Sequence, residues 1–187
     1  MSKSSIDDPD VQILACLAQM LKSDYPDNDG WKDSPFAWIK QRPSRQVGAI
    51  GEQLVSGWLA TKNFTVGPSP DSQADRIVNN HRVEVKFSTR WKNGTYTFQQ
   101  LRDQNYDFVI CLGICPFDAH CWAIPKTEIL RRWHARDGIK SQHGGRTGID
   151  TAWLSFKVDD SPVWLDAYGG SLAQAAAQIL RLTSSQP

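Results

Sequence analysis

The sequence contains no apolar run long enough to cross a bilayer, and its first residues lack the apolar segment of a signal peptide. These absences lead us to expect a cytoplasmic protein without a membrane span. In the cytoplasm the four cysteines are expected to be reduced thiols. The length of 187 residues fits one domain with modest additions.

Motifs that bind zinc or nucleoside triphosphates are also missing. Cys111, Cys115, Cys121 and His120 lie close together in the sequence, but no two cysteines have the CxxC spacing of a zinc site. The histidines form no His-Glu-x-x-His pattern, and there is no glycine-rich P-loop. We therefore expect neither a zinc enzyme nor a P-loop nucleotidase.

The sequence has almost no net charge, since its formal charge at pH 7 is only +1. The charge is unevenly distributed, however. Residues 1–35 carry seven Asp against three Lys, whereas residues 126–146 carry six Lys or Arg against two acidic residues. A local basic surface is typical of a protein that docks on DNA in one orientation, although an ordinary solvated helix surface gives the same pattern.

The periodicity of the apolar residues predicts an α/β protein with a central mixed sheet flanked by helices. We expect one domain over residues 1–187, made of a helical, acidic extension (1–43), a core (44–134), and C-terminal strands with a helix (135–187). Helices are predicted at residues 11–22, 44–61, 97–104, 126–134 and 172–182. Strands are predicted at residues 64–66, 73–78, 82–88, 107–114, 121–124, 151–158 and 163–165.

One predicted strand carries two charged residues on the same face. Because side chains alternate along a strand, Glu84 and Lys86 point one way while their apolar neighbours point the other. Taken alone, this pattern is more typical of an exposed strand with an ordinary salt bridge. It gains meaning from an aspartate in the preceding strand.

A two-residue turn at Asn79-Asn80 would place Asp75 opposite Glu84, because asparagine tolerates the left-handed dihedral angles that such turns require. Directly opposed Cβ atoms lie roughly 4.5–5.5 Å apart. A turn one residue later would place Asp75 opposite Lys86, with Glu84 diagonal to it, and a three-residue turn would break the arrangement. In the preferred register Arg76 falls on the apolar face, which indicates a sheet edge or a bulge.

Two adjacent carboxylates repel each other unless a cation neutralises them. Mg²⁺ fits such a site, since it takes oxygen ligands and keeps several waters. It would polarise a phosphate and lower the pKa of a bound water. The ammonium group of Lys86 would orient that water or stabilise charge on the phosphate. The pattern therefore predicts metal-dependent hydrolysis of a phosphodiester.

Four segments give the chain a resemblance to the PD-(D/E)XK nuclease superfamily, and within it to small type II restriction endonucleases of bacteria. They are Gly48-Ala-Ile-Gly51-Glu52, Ala74-Asp75, Glu84-Val85-Lys86, and the run from Phe98 to Asp107. Each segment is too short to be specific, and their order and spacing carry the resemblance. It covers about residues 44–125.

The resemblance implies a restriction-endonuclease-like core of αβββαβ type that cuts phosphodiesters to 5′-phosphate and 3′-hydroxyl ends. It implies Mg²⁺, with Mn²⁺ as a substitute, held by Asp75, Glu84 and Val85. It also implies an extra acidic residue and a glutamine at the site, and the choice between Gln99 and Gln100 stays open. The implied catalytic set is Asp75, Glu84, Lys86, Glu52 and Gln99.

The sequence departs from the superfamily pattern before Asp75, where the usual proline is missing. A literal Pro70-Asp71 lies four residues earlier, in a linker rich in proline and serine. Asp71 would need a longer strand to reach Glu84, so Asp75 is preferred.

Basic residues and one tryptophan are the candidates for DNA contact. Three of them directly follow the catalytic strand, and three lie in or near a glycine-rich loop at residues 141–149, which we interpret as a DNA-recognition loop. The full set is Arg45, Arg90, Trp91, Lys92, Lys140, His143 and Arg146.

The leading hypothesis is a Mg²⁺-dependent, sequence-specific endonuclease of double-stranded DNA. It would act as a homodimer with symmetry matching a palindromic target, and a cognate DNA methyltransferase would be encoded nearby. Alternatives with the same fold are a nicking repair enzyme, a junction resolvase or an RNA nuclease. A non-catalytic DNA-binding subunit is a further alternative.

Overall fold

The computed structural model describes residues 9–22, 29–144 and 150–184. The chain divides into two compact units, Met1–Lys32 and Asp33–Pro187. The first contains helix α1 (Pro9–Lys22), at the position predicted for a helix, and a 3₁₀ turn at Asp29–Trp31. Across the described ranges, no helix is long and apolar enough to span a membrane.

The second unit alternates helices and strands along the chain. Its helices are α2 (Ser44–Thr61), α3 (Lys126–Ala135) and α4 (Leu172–Ser184), with 3₁₀ helices at Ala37–Gln41 and Val163–Tyr168. Its strands are β1 (Val66–Pro68), β2 (Arg76–Val78), β3 (His81–Thr89), β4 (Thr95–Leu101), β5 (Phe108–Ile114), β6 (Ala119–Pro125), β7 (Ile139–Ser141), β8 (Ala152–Lys157) and β9 (Gly169–Gly170).

Six strands form a central mixed sheet in the order β1-β2-β3-β5-β6-β9. Strands β3 and β5 are parallel, and the other neighbours in this sheet are antiparallel. Every residue of β5 is buried, as its continuous apolar sequence predicts for a central strand. The predicted class, a mixed α/β protein with helices against a central sheet, is confirmed.

A second sheet, with strand order β4-β8-β7, covers one face of the central sheet around an aromatic core. The ring centroids of Trp122 on β6 and Phe156 on β8 lie 5.2 Å apart, and those of Trp122 and Phe98 on β4 lie 6.3 Å apart. Helix α2 packs against β3, and α4 packs against β6 and β9. Phe87, which contacts α2, points to the opposite face of β3 from Lys86.

The helix predicted at residues 97–104 is wrong, because this segment belongs to strand β4. The register of β4 against β8 shifts between Phe98 and Leu101, and Gln100 has a left-handed φ of 57° within that bulge. The bulge leaves both Phe98 and Leu101 buried, and residues three positions apart also share one face of a helix. A strand with a bulge therefore imitated a helix in the sequence.

The strand predicted at residues 163–165 is also wrong, since this segment starts a 3₁₀ helix. Pro162, with a φ of −58°, precedes this helix. Val163 is 83% exposed while Leu165 is buried, so these two apolar residues do not lie on one buried face as they would in a strand. In the predicted recognition loop, residues 145–149, including Arg146, lie outside the described residues.

The close contact between α2 and β3 gives a stability prediction. A Cβ atom at position 51 would lie 2.3 Å from the Cβ of Phe87, whereas one at Gly57 on the same helix meets nothing within 4 Å. Gly51→Ala should therefore lower the free energy of unfolding by about 1–3 kcal/mol through overpacking. Gly57→Ala should raise it by up to about 1 kcal/mol, because alanine favours a helix. Urea unfolding of both variants measures this, and equal effects would contradict the packing.

Candidate active site

The hairpin between β2 and β3 brings the predicted residues together. Its turn has two residues, Asn79 and Asn80, with left-handed φ angles of 45° and 70°. Val78 pairs with His81, and the pairing continues to Arg76 opposite Val83. This is the register preferred from the sequence, in which the next pair is Asp75 with Glu84. The segment just before β1 also fixes the turn, since Asn79 Oδ1 accepts a 2.9 Å hydrogen bond from the amide of Thr65.

Asp75 lies one residue before β2 and is tied to β3 by two hydrogen bonds. Its amide donates to the carbonyl of Val83 at 3.0 Å. Its Oδ2 accepts from the amide of Val85 at 2.7 Å. The carboxylate is therefore held against the middle of β3, beside Glu84 and Lys86, without a preceding proline.

Glu84 and Lys86 form an ion pair on the same face of β3. Lys86 Nζ lies 2.5 Å from Glu84 Oε1, and Glu84 is only 6% exposed. Burial raises the pKa of the Glu84 carboxyl, and the negative charge of Asp75 raises it further, against the opposing effect of Lys86. A buried carboxylate with one ammonium partner and a second carboxylate nearby is suited to binding a further cation.

Glu52 reaches the same region from α2 and is held by Arg76. The pKa of Glu52 is raised by burial and by the charge of Asp75, and Arg76 acts in the opposite direction. Arg76 Nη1 lies 3.1 Å from Glu52 Oε2 and donates to the carbonyl of Asp75 at 2.7 Å. Its Nε donates to Ser56 Oγ at 2.9 Å.

Arg76 is thus a link between helix α2 and the hairpin rather than a defect in an apolar face. Sequence reasoning placed it correctly on the face of the hairpin turned away from Glu84, but it missed its partners. The expected sheet edge or bulge is wrong, because β2 lies between β1 and β3 and pairs with both in regular register. The available signal was the pair Glu52 and Ser56, which lie four residues apart on one side of α2.

Both glutamine candidates lie in the bulge of β4 and both are exposed. They line the same cavity as Asp75, Val85 and Lys86. The choice between Gln99 and Gln100 therefore stays open.

The alternative aspartate, Asp71, has other partners. Its carboxylate accepts a hydrogen bond from the amide of Gln73 at 2.9 Å and forms an ion pair with Arg82. These interactions lower the pKa of Asp71, with the bond from Gln73 as the main cause. Asp71 does not line the cavity that Asp75 lines.

The cavity has a volume of about 730 Å³ and is lined by both acidic and basic residues. Glu52, Asp75 and Lys86 contribute to it, whereas the buried Glu84 does not. Among the predicted DNA contacts, Arg45 and the half-exposed Trp91 line it. Its further basic lining residues, which the sequence analysis missed, are Lys40 and Arg42.

The other predicted DNA contacts lie outside this lining. Arg90 and Lys92 flank Trp91, and their charges act on Lys40. Lys140 on β7 and His143 after it are exposed at the far strand of the second sheet.

In the parts of the chain that the structure describes, no three His, Cys, Asp or Glu side chains are grouped closely enough to hold a metal ion by themselves. Cys111, Cys115 and Cys121 are buried free thiols. Burial raises the pKa of Cys111 and of Cys121, so these behave as small apolar residues.

Comparison with known proteins gives little further guidance. No protein-family model matches the chain, and no curated protein matches it. A solved structure that is similar to it is that of a bacterial homing endonuclease, I-Ssp6803I. The sequences are 16% identical, and the similarity covers 76% of this chain and 96% of that chain with a TM-score of 0.49. A likeness of this strength assigns neither a family nor an activity.

The link between Arg76 and Glu52 can be tested by titration. Because Arg76 lowers the pKa of Glu52, Arg76→Gln should raise the pKa of Glu52 further above its ordinary value of 4.5. Carbon-13 NMR of the Glu52 carboxyl against pH measures the midpoint directly. Arg82→Gln, which removes a similar ion pair with Asp71, is the matched control and should leave that midpoint in place. An unchanged midpoint in Arg76→Gln would contradict the link.

Proposed function

We propose that the protein is a Mg²⁺-dependent endonuclease that hydrolyses phosphodiester bonds of double-stranded DNA. The observation that carries this proposal is the hairpin register, which sets Asp75 beside Glu84 and Lys86, with Asp75 and Lys86 lining a cavity that also has basic residues in its wall. Clustered carboxylates next to a polyanion are costly for a protein that only binds DNA. The arrangement therefore favours catalysis over simple binding.

The residues present fit a hard divalent cation. The side chains of Asp75 and Glu84 and the main-chain oxygen of Val85 form an all-oxygen donor set, which suits Mg²⁺ and, as a substitute, Mn²⁺. With too few protein carboxylates for a closed site, water and a substrate phosphate would complete the coordination. Burial first, and then the charge of Asp75, raises the pKa of both Glu52 and Glu84, so a cation bound beside them would offset the repulsion between these carboxylates.

The side chains have distinct tasks in this proposal. A bound Mg²⁺ would supply a polarised phosphate and a more acidic water. The ammonium group of Lys86, held by Glu84 at 2.5 Å, orients the attacking water and stabilises charge on the phosphate. The water oxygen adds to phosphorus as the bond to the 3′ oxygen breaks. The attacking water loses one proton to solvent and the leaving 3′ oxygen takes one up from solvent, which leaves a 5′-phosphate and a 3′-hydroxyl. Glu52, fixed by Arg76, adds negative charge near the cation.

The finer assignment is a type II restriction enzyme. A homodimer would present two sites to the two strands, and its symmetry would match a palindromic target. Trp91 and its basic neighbours would contact the DNA next to the cut, and a nearby methyltransferase would protect the host. A nicking enzyme, a junction resolvase and an RNA nuclease use the same site chemistry, so the products of digestion distinguish them.

Digestion of unmethylated duplex DNA of phage length tests the proposal. With Mg²⁺ we expect discrete bands, and we expect none with EDTA or with Glu84→Gln, because the neutral amide is a poor ligand for Mg²⁺. Glu128→Gln, a change in an acidic residue of α3 that pairs with Arg131 and Arg132, is the control and should still cut.

Two results would contradict this assignment in different ways. Duplex DNA left intact by the metal-loaded wild type would defeat the endonuclease proposal. Nicks without sequence preference, or cleavage confined to branched DNA or RNA, would keep the site chemistry and defeat the restriction assignment.

The raised pKa values predict a pH dependence of metal binding. Protons compete with the cation for Glu84, whose pKa lies above the ordinary 4.5. As the pH is lowered from neutral, the affinity for Ca²⁺, measured by calorimetry, should therefore begin to fall while the pH is still above 4.5, before an ordinary glutamate takes up a proton. In Glu84→Gln the affinity should be weak and the fall smaller. A flat affinity in the wild type across this range would contradict the assignment of Glu84 as a ligand.

A further inference from the structure

The cavity contains a basic region in addition to the residues given a catalytic task. Lys40 lies in the 3₁₀ helix Ala37–Gln41, Arg42 is the residue that ends it, and Arg45 is in the first turn of α2. All three line the cavity together with Asp75 and Lys86. None of the three is needed for the attack of water on phosphorus.

The basic region lies at the start of helix α2, away from the carboxylate of Glu52 further along the same helix. Arg45 and Glu52 are seven residues apart on α2, which is roughly 10 Å at the rise of a helix. The volume of about 730 Å³ lies in the range of pockets for whole ligands, roughly 300–1,000 Å³. The cavity is therefore too long and too large for a single phosphate group.

Positive charge is concentrated in this region. Lys40 Nζ donates to the carbonyl of Arg90 at 3.2 Å, which ties the 3₁₀ helix to the end of β3. The pKa of Lys40 is lowered by burial first, and then by the charges of Lys92 and Arg90. An anion bound here would offset this repulsion between like charges. Helix α2 also begins here without a side-chain cap, so its positive dipole end adds to the same field.

We propose that Lys40, Arg42 and Arg45 bind a phosphate that flanks the scissile phosphate on the same strand. This inference rests on the proposed function, which places the scissile phosphate at Asp75 and Lys86. A nucleic-acid strand carries phosphates at regular intervals, so a strand that enters the acidic region brings a further phosphate into the basic one. The basic region then sets the position of the strand, and it favours cleavage inside a strand over hydrolysis of an isolated phosphodiester.

Short oligonucleotides test this without any need for cleavage. Thymidine oligonucleotides with one, two and three phosphates are titrated into the protein with Ca²⁺, and binding is followed by calorimetry. For the wild type we expect one added phosphate to increase the affinity by about tenfold or more, as a charge-assisted hydrogen bond should. Lys40→Ala and Arg45→Ala should remove that step. Lys62→Ala, a change of an exposed lysine at the other end of α2, should keep it.

The result that would overturn the proposal is an affinity that rises evenly with each phosphate, or a step that persists in both Lys40→Ala and Arg45→Ala. Arg45 is exposed, so its variant stays informative even if Lys40→Ala fails to fold. Digestion of long duplex DNA by the same wild-type preparation separates the two proposals. A step in affinity without cleavage would defeat the catalytic role and keep the phosphate site, and cleavage without a step would do the reverse.

Discussion

The candidate site depends on one structural element, the left-handed turn at Asn79-Asn80. Because side chains alternate along a strand, a change of one residue in this turn would move Asp75 from Glu84 to a different partner. With both asparagines at positive φ, the hairpin sets Asp75 in register with Glu84, and the hydrogen bond from the Val85 amide holds its carboxylate there. The position of Asp75 beside Glu84 and Lys86 and the donor set for a cation both follow from this register.

A second constraint brings α2 to the hairpin. Gly51 lets the helix approach Phe87 more closely than any side chain would allow, and the next residue is Glu52. Arg76 then connects Glu52 to the main chain of Asp75, so the helix and the hairpin share one ion pair. Asp75 thus has an acidic neighbour on each side, Glu52 held by Arg76 and Glu84 held by Lys86, and burial together with the charge of Asp75 raises the pKa of both glutamates.

The sequence predicted those features that depend on local rules. The tolerance of asparagine for left-handed angles gave the hairpin register, and the apolar run at residues 108–114 gave the central strand. Strand β4 was missed because the bulge at Gln100 buries residues at helical spacing. Lys40 and Arg42 were missed because they lie outside any periodic segment and meet the site only through the fold. Arg76 was placed on the correct face but without Glu52, since their contact depends on how α2 packs.

The most direct test of the central claim is a crystal structure of the protein soaked with Mn²⁺, with the metal located by its anomalous scattering. The register predicts a peak at roughly 2.0–2.3 Å from oxygens of Asp75, Glu84 and the main chain of Val85, near the distances for a hard divalent cation. It also predicts that Lys86 stays within hydrogen-bonding distance of the phosphate or water at that metal. A metal bound elsewhere, or no peak at these three oxygens in crystals that contain ordered Mn²⁺, would contradict the account.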